Sequence, residues 1–401
     1  MRVLAQRNFA PYFVGNFLSN AGTWFQSIAQ SLLVYRLTGS SFMVGVVNFA
    51  QFAGVVLLSP WSGPAADRFD RKRLLIITQL GLSVVTAALA WLVFIGRGTV
   101  TVVVVQTLVY GFISAFATPA MQAIIPGLVQ RDDVGAAVAM NSVSFNLARA
   151  IGPVAGALVV AGLGIGWAIS VDAVSYLILV AALLLVHPTT SKPPEQERRP
   201  RLIDSIRLVS RDRELLVLLV AIAAVSLSMD PVSTLTPQFA RQIFHRSDTM
   251  SGVLMGAFGA GAVAASLFPY AQDRSLGRLL APMLALMGVG LAAMALMPGL
   301  IAAAGCLAVS GFGYLAGQTR ATTLLQLEVD DRQRGRVMAL WSVAFLGSRP
   351  IASLADGGLA KVVGVRTATL IMAVPVFAAA IMIFVHGLHG PKEVESTSTR
   401  K

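Results

Sequence analysis

GAAVAMNSVSFNLAR, residues 135–149, and GRVMALWSVAFLGSR, residues 335–349, carry matching residues at matching places 200 positions apart. Gly135, Ala139, Ser142, Val143, Phe145 and Arg149 recur as Gly335, Ala339, Ser342, Val343, Phe345 and Arg349. Working outward, Gly111-Phe112 meets Gly311-Phe312 and Val129 meets Val329, which makes nine identities in 39 ungapped positions. Apolar bias inflates any such score. An arginine inside an apolar stretch is rare, however, and its return at the same offset marks a duplication. Asp67-Arg68 and Asp273-Arg274 correspond near the same shift.

What is duplicated is a bundle of membrane spans. The chain has 401 residues, of which 56% are hydrophobic and 12% charged, about half the charge of an ordinary globular domain. Such a composition cannot furnish a polar shell. Apolar stretches of roughly 17–25 residues recur from end to end and lack the alternation of barrel strands, so they read as helices. Spans are expected near 10–35, 42–63, 74–95, 100–122, 136–161, 167–187, 215–240, 250–271, 279–297, 299–321, 335–359 and 366–386. The fold class is thus all-α membrane protein, with six-helix bundles over 1–187 and 214–401 joined by a linker over 188–213. Six spans per repeat give the halves parallel topology, related by an axis along the membrane normal.

The net charge is +12, yet nucleic acid is not an expected partner. Twenty-two of the 31 Lys and Arg fall on the side of the termini and six on the other. That asymmetry is the positive-inside rule, so both termini are expected in the cytoplasm, with the bases facing anionic headgroups of the cell membrane. The first span follows Arg2 and Arg7, is too long for a signal segment, and reads as a retained anchor. In the linker, Leu202, Ile203, Ile206 and Val209 have helical spacing, which fits either a short surface helix or a solvated strap. Cys306 is the sole cysteine, so no internal disulfide can form. The four histidines have no ligand spacing, and no metal or cofactor is expected.

The loop after the second span reads Gly63-Pro-Ala-Ala-Asp67-Arg68-Phe-Asp70-Arg71-Lys72-Arg73. It resembles the loop signature of the major facilitator superfamily. Pro119-Ala-Met-Gln-Ala-Ile-Ile-Pro126, Asn141 through Gly156, Arg332-Gln-Arg334-Gly335-Arg336-Val337-Met338 and the opening Asn16-Phe-Leu-Ser-Asn20-Ala-Gly22-Thr-Trp24 are similar to the branch holding the enterobactin exporter and macrolide efflux proteins. The resemblance covers nearly the whole chain. It implies a cytoplasmic gate in which Asp67 faces the N-terminus of the eleventh helix, where a carboxylate is favoured. Arg68, Arg71, Arg334 and Arg336 would clamp helix ends around it, with Gly63 as the small residue of the signature. One departure stands out: Asp70 occupies the place of a glycine, which questions the turn's geometry.

Several residues are candidates for substrate or proton work. Arg149 and Arg349 sit near mid-membrane, as substrate or gating contacts or as caps on carbonyls freed by Pro153 and Pro350. Asp230, in Ser228-Met-Asp230-Pro231, is the best-placed acid for taking up and releasing a proton, because low dielectric disfavours a charged carboxylate; a satisfied acid beside a proline break is the bland alternative. Asp172 and Asp356 read as structural or rim residues. Polar stripes run along the first span (Asn16, Asn20, Thr23, Ser27, Gln30), the fourth (Gln106, Tyr110, Ser114), the seventh (Ser226, Asp230, Ser233) and the tenth (Ser310, Tyr314, Gln318). They suit either a cavity wall or helix–helix hydrogen bonds. The expected activity is efflux of an amphipathic drug-like or siderophore-like molecule by alternating access, driven by the proton gradient, in a monomer. Uptake or facilitated diffusion of a metabolite is the alternative. No Gly-x-Ser-x-Gly, His-Glu-x-x-His or phosphate-cradling glycine loop argues for an enzyme or for direct ATP drive.

Overall fold

Local signals in the chain set the helix ends. The computed structural model describes residues 2–188, 207, 209–210, 212–267, 276–329 and 331–386. Twelve rods run through them: α1 (Phe9–Thr38), α2 (Ser41–Arg68), α3 (Arg71–Phe94), α4 (Val100–Ile124), α5 (Val134–Gly162), α6 (Ile165–Leu185), α7 (Arg213–Met229), α8 (Ser251–Ser266), α9 (Leu276–Leu296), α10 (Leu300–Leu327), α11 in two pieces (Asp331–Leu346 and Ser348–Val363) and α12 (Val365–His386). Asp70, Thr99 and Asp212 accept hydrogen bonds from the first free amides of α3, α4 and α7, as helix N-caps do. At the end away from the termini, called here the far end, Gly39, Gly96, Gly164 and Gly364 turn the chain with positive φ, which glycine adopts without strain. Gly164 and Gly364 repeat the 200-residue offset.

Ten helices among the described residues are long and apolar enough to cross a membrane. The two that fall short are α1, diluted by its polar stripe, and α11, broken at Gly347. α7 is interrupted too. After Asp230 it continues through Pro231–Thr234, Thr236–Gln238 and a π-helical turn, Phe239–Ile243.

Packing shows the duplication directly. In the first half α1 lies on α5 and α6, α3 on α4 and α6, and α2 on α4. In the second half α7 lies on α11 and α12, α9 on α10 and α12, and α8 on α10. Each pair is the other with six added to both numbers. The halves meet where α5 packs on α8 and α2 on α11, which the same operation exchanges. Small residues make this seam. A Cβ on Gly252 would strike Ala157 and the Pro153 carbonyl, and one on Gly259 the backbone of Ala150. On the other side, Gly45 lies against the Ser353 carbonyl and Gly357 against Phe42.

The seam closes at the far end. Arg36 holds Asp248 through two hydrogen bonds of 2.7 and 2.9 Å, Ser41 bonds Gln238 at 2.6 Å, and Asn48 bonds Thr234 at 3.1 Å. Toward the termini, among the described residues, α5 is left uncovered. On α5, Arg149, Pro153 and Ala157 face α8, while Val138, Ser142 and Phe145, one to three turns earlier on that same face, are exposed. The linker and its expected surface helix lie outside the described residues except for a few positions, among them Val209, which is buried.

Candidate functional site

Two arginines meet where the halves meet. Arg149, on α5, lies over the rings of Trp24 (α1), Phe258 (α8) and Tyr314 (α10) at 5.3, 4.9 and 4.8 Å from their centroids. Arg349, on α11, lies over Phe52 (α2) at 4.6 Å and over Phe345 at 5.8 Å. Each arginine thus reaches across the seam to a phenylalanine of the opposite half. Phe52 and Phe258 are 206 positions apart, the shift that also relates Asp67 to Asp273, so the two crossings are one arrangement made twice. Both guanidinium groups point at the sulfur of Met229, Arg149 Nη2 at 2.9 Å and Arg349 Nη2 at 3.6 Å. Neither goes to the carbonyls that Pro153 and Pro350 leave free, the capping role open from the sequence.

Asp230 lies beside this pair at the interruption of α7, 1% exposed. Its Oδ2 accepts from Thr234 Oγ1 at 2.9 Å and from Ser353 Oγ at 2.8 Å. Thr234 in turn accepts from Asn48 of α2, so a continuous chain of bonds links α2, α7 and α11. Arg349 acts on Asp230 electrostatically. Asp356 is not a rim residue: it is 0% exposed, its carboxyl lies against that of Asp230, and neither oxygen receives a donor. The helices carry it deeper than apolar length alone indicates, because Gly357 lets α11 close on Phe42.

The polar stripes divide. In the first half most are tied up between helices: Asn16 donates to Asn141 at 2.6 Å, Gln30 to Gln106 at 2.6 Å, and Tyr176 to Tyr110 at 3.2 Å. Asp172 is fully buried beside Ser175, likewise away from any rim. Asn20 is half-buried one turn from Trp24. Ser226 and Ser310 bond backbone carbonyls. Gln318, one turn beyond Tyr314, is 7% exposed and neither amide atom has a partner.

At the expected gate, the side chains of Gly63, Asp67, Arg68, Arg334 and Arg336 lie outside the described residues. Arg71 donates to the Ala123 carbonyl at 2.9 Å and Lys72 to that of Val186 at 2.8 Å, both favourable positions for a cation at a helix C-terminus. An apolar groove of about 440 Å³ between α3 and α4, lined by Val84, Leu92 and Val105, lies apart from these groups. Met229, Ser353 and the ring-bearing residues Phe52 and Phe258 were not singled out from the sequence. The paired shift of Phe52 and Phe258 was the signal available.

A family model described as transmembrane secretion effector matches residues 2–401. The staphyloferrin A transporter of Staphylococcus aureus (strain NCTC 8325 / PS 47) is 26% identical over 379 residues, 93% of this chain and 94% of that one. The enterobactin exporter EntS of Escherichia coli O6:K15:H31 is 25% identical over 364 residues, covering 88% and 85%. Among solved structures, a point mutant of the nucleoside transporter NupG superposes with a TM-score of 0.77 at 14% identity, over 94% of this chain and 99% of that one. A bacterial homolog of the human lysosomal transporter Spinster, inward-facing and occupied, superposes at 0.72 with 13% identity, over 95% and 96%.

Proposed function

Because the chain belongs to the transmembrane secretion effector family, in the exporter branch of the major facilitator superfamily, we propose that it exports a siderophore-like amphipathic molecule across the cell membrane by alternating access, coupled to proton entry at Asp230. The relatives named for staphyloferrin A and enterobactin support the cargo class. The positive-inside asymmetry supports cytoplasmic termini. With that orientation the sealed far end is extracellular, and the exposed face of α5 opens to the cytoplasm.

The observation that carries the coupling is the bond chain Asn48–Thr234–Asp230–Ser353, which ties the one acid in the α7 break to both halves. In the conformation described, two hydroxyls and Arg349 face the Asp230 carboxyl and favour release here, toward the cytoplasm, of a proton that arrived from outside. In the opposite conformation the Asn48–Thr234 bond between the halves is severed, Asp230 opens to the external side, and the acid takes a proton there. Protonation and seam contact are therefore alternatives, as antiport requires.

Proteoliposomes loaded with a siderophore-like cargo test this. An imposed proton gradient is expected to accelerate efflux through the wild type and to have no effect on Asp230→Asn, whose passive exchange persists. Gradient-insensitive efflux by the wild type would refute the coupling.

A further inference from the structure

We propose that Arg149 and Arg349 form a recognition site for carboxylate groups, so that the cargo is an organic anion carrying carboxylates beside a flat apolar part. This deepens the export reading and rests on it for a substrate path between the halves.

The electrostatics are unbalanced as they stand. Arg149 is 7% exposed, and among the described residues the ion pair of the molecule is Arg36–Asp248 at the far end. Asp230 acts on Arg349, and Asp356 leans on Asp230, but no carboxylate pairs with Arg149. The two guanidinium groups repel each other. Aromatic faces attract the face of a guanidinium, yet they do not accept along its edge, where five N–H groups point. Met229 offers those edges only a thioether, a weak acceptor. Nearby, Arg349 Nε and both amide atoms of Gln318 have no partner. Buried donors left unmatched are costly, and a carboxylate matches a guanidinium edge with two parallel bonds.

Access and shape agree with this. Phe145, 43% exposed on the open face of α5, packs edge-on against Trp24, and Trp341 stacks on Phe345 at 5.3 Å. Flat aromatic walls therefore lead to both cations from the open side. An apolar cation finds the same walls but meets Arg149, whose buried charge no carboxylate offsets.

Isothermal titration of the purified full-length protein decides the matter with probes that share one ring system. These are 2,6-naphthalenedicarboxylate, 2-naphthoate, the neutral 2-naphthamide and 2-naphthylmethylammonium. The acids are expected to bind at least about tenfold more tightly than the amide, the dicarboxylate best and the ammonium worst. Arg149→Gln should cut the acid-to-amide ratio by about tenfold while sparing amide binding, and Arg149→Lys should keep an intermediate ratio. Equal affinity for acid and amide, binding by none of the probes, or an unchanged ratio in Arg149→Gln would overturn the proposal. Should that variant not fold, the wild-type ratio and the lysine variant still decide. No proton gradient enters these measurements, so loss of coupling leaves them standing, and gradient-driven export of cations alone would refute this site without touching export.

Discussion

Asp70 stands where the family's loop has glycine, and its backbone, with φ −58° and ψ 118°, needs none of glycine's freedom. It serves as the N-cap of α3, accepting from Arg73 N at 2.7 Å. Asp70→Ala is expected to cost about 0.5–2 kcal/mol, and Asp70→Gly only a few tenths; thermal unfolding in detergent distinguishes them. Ser353→Ala removes a donor from a buried acid, at about 1–3 kcal/mol, and should weaken proton-driven transport more than substrate binding, as paired flux and calorimetric assays would show. At this scale the two arginines and Asp230 were legible in the sequence because charge inside apolar runs is rare. Their partners were not. Trp24, Phe52 and Phe258 come from three other helices and look like ordinary apolar content until the rods are assembled; Tyr314 stands out only as part of the tenth span's polar stripe. Between the structural and rim readings left open for Asp356, burial favours the first, and the sequence could not decide because its depth is set by how closely α11 approaches α2.

Helix by helix, the apolar runs located every rod, but several overran their expected limits at the termini end. α2 ends at Arg68 and not near 63, and α10 at Leu327 and not near 321. The extra turns carry polar and charged residues, which hydropathy cannot assign to helix. In the sequence the seam between α5 and α8 is marked only by the glycines of the eighth span. Structure gives them opponents: Gly252 against Ala157, Gly256 against Val154, Gly259 against Ala150. Gly256→Leu therefore overpacks the seam, at about 1–3 kcal/mol, and favours the conformer open at the far end. Spin labels at Ser40 and Ser247 should show a longer inter-label distance in the variant. An unchanged distribution would mean that the seam yields without parting.

Taken as a whole, the molecule is two copies of one bundle, and the repeat at 135–149 and 335–349 revealed that before any packing was known. The far-end clasp was hidden, because Arg36 and Asp248 lie 212 residues apart in different halves. Arg36 is partly exposed, with 38% of its side chain accessible, so the pair contributes about 0.2–1 kcal/mol and weakens as salt shortens the screening length. Raising ionic strength, or replacing Arg36 by Gln, should shift the same label pair toward longer distances, and salt should have little further effect on the variant. Export of an anion would also draw on membrane voltage, worth about 2.3 kcal/mol per charge per 100 mV.

The far-end connections are very short: Leu163 and Gly164 join α5 to α6, and Gly364 alone joins α11 to α12. Tethers of one or two residues forbid neighbouring rods within a half from sliding lengthwise, so a rearrangement inside the second half has to bend the rods themselves. The interruptions at Asp230-Pro231 and Gly347 supply the joints, one in α7 and one in α11, beside the paired cations. Splints across those two knees would therefore stiffen the second half without touching the seam that joins it to the first.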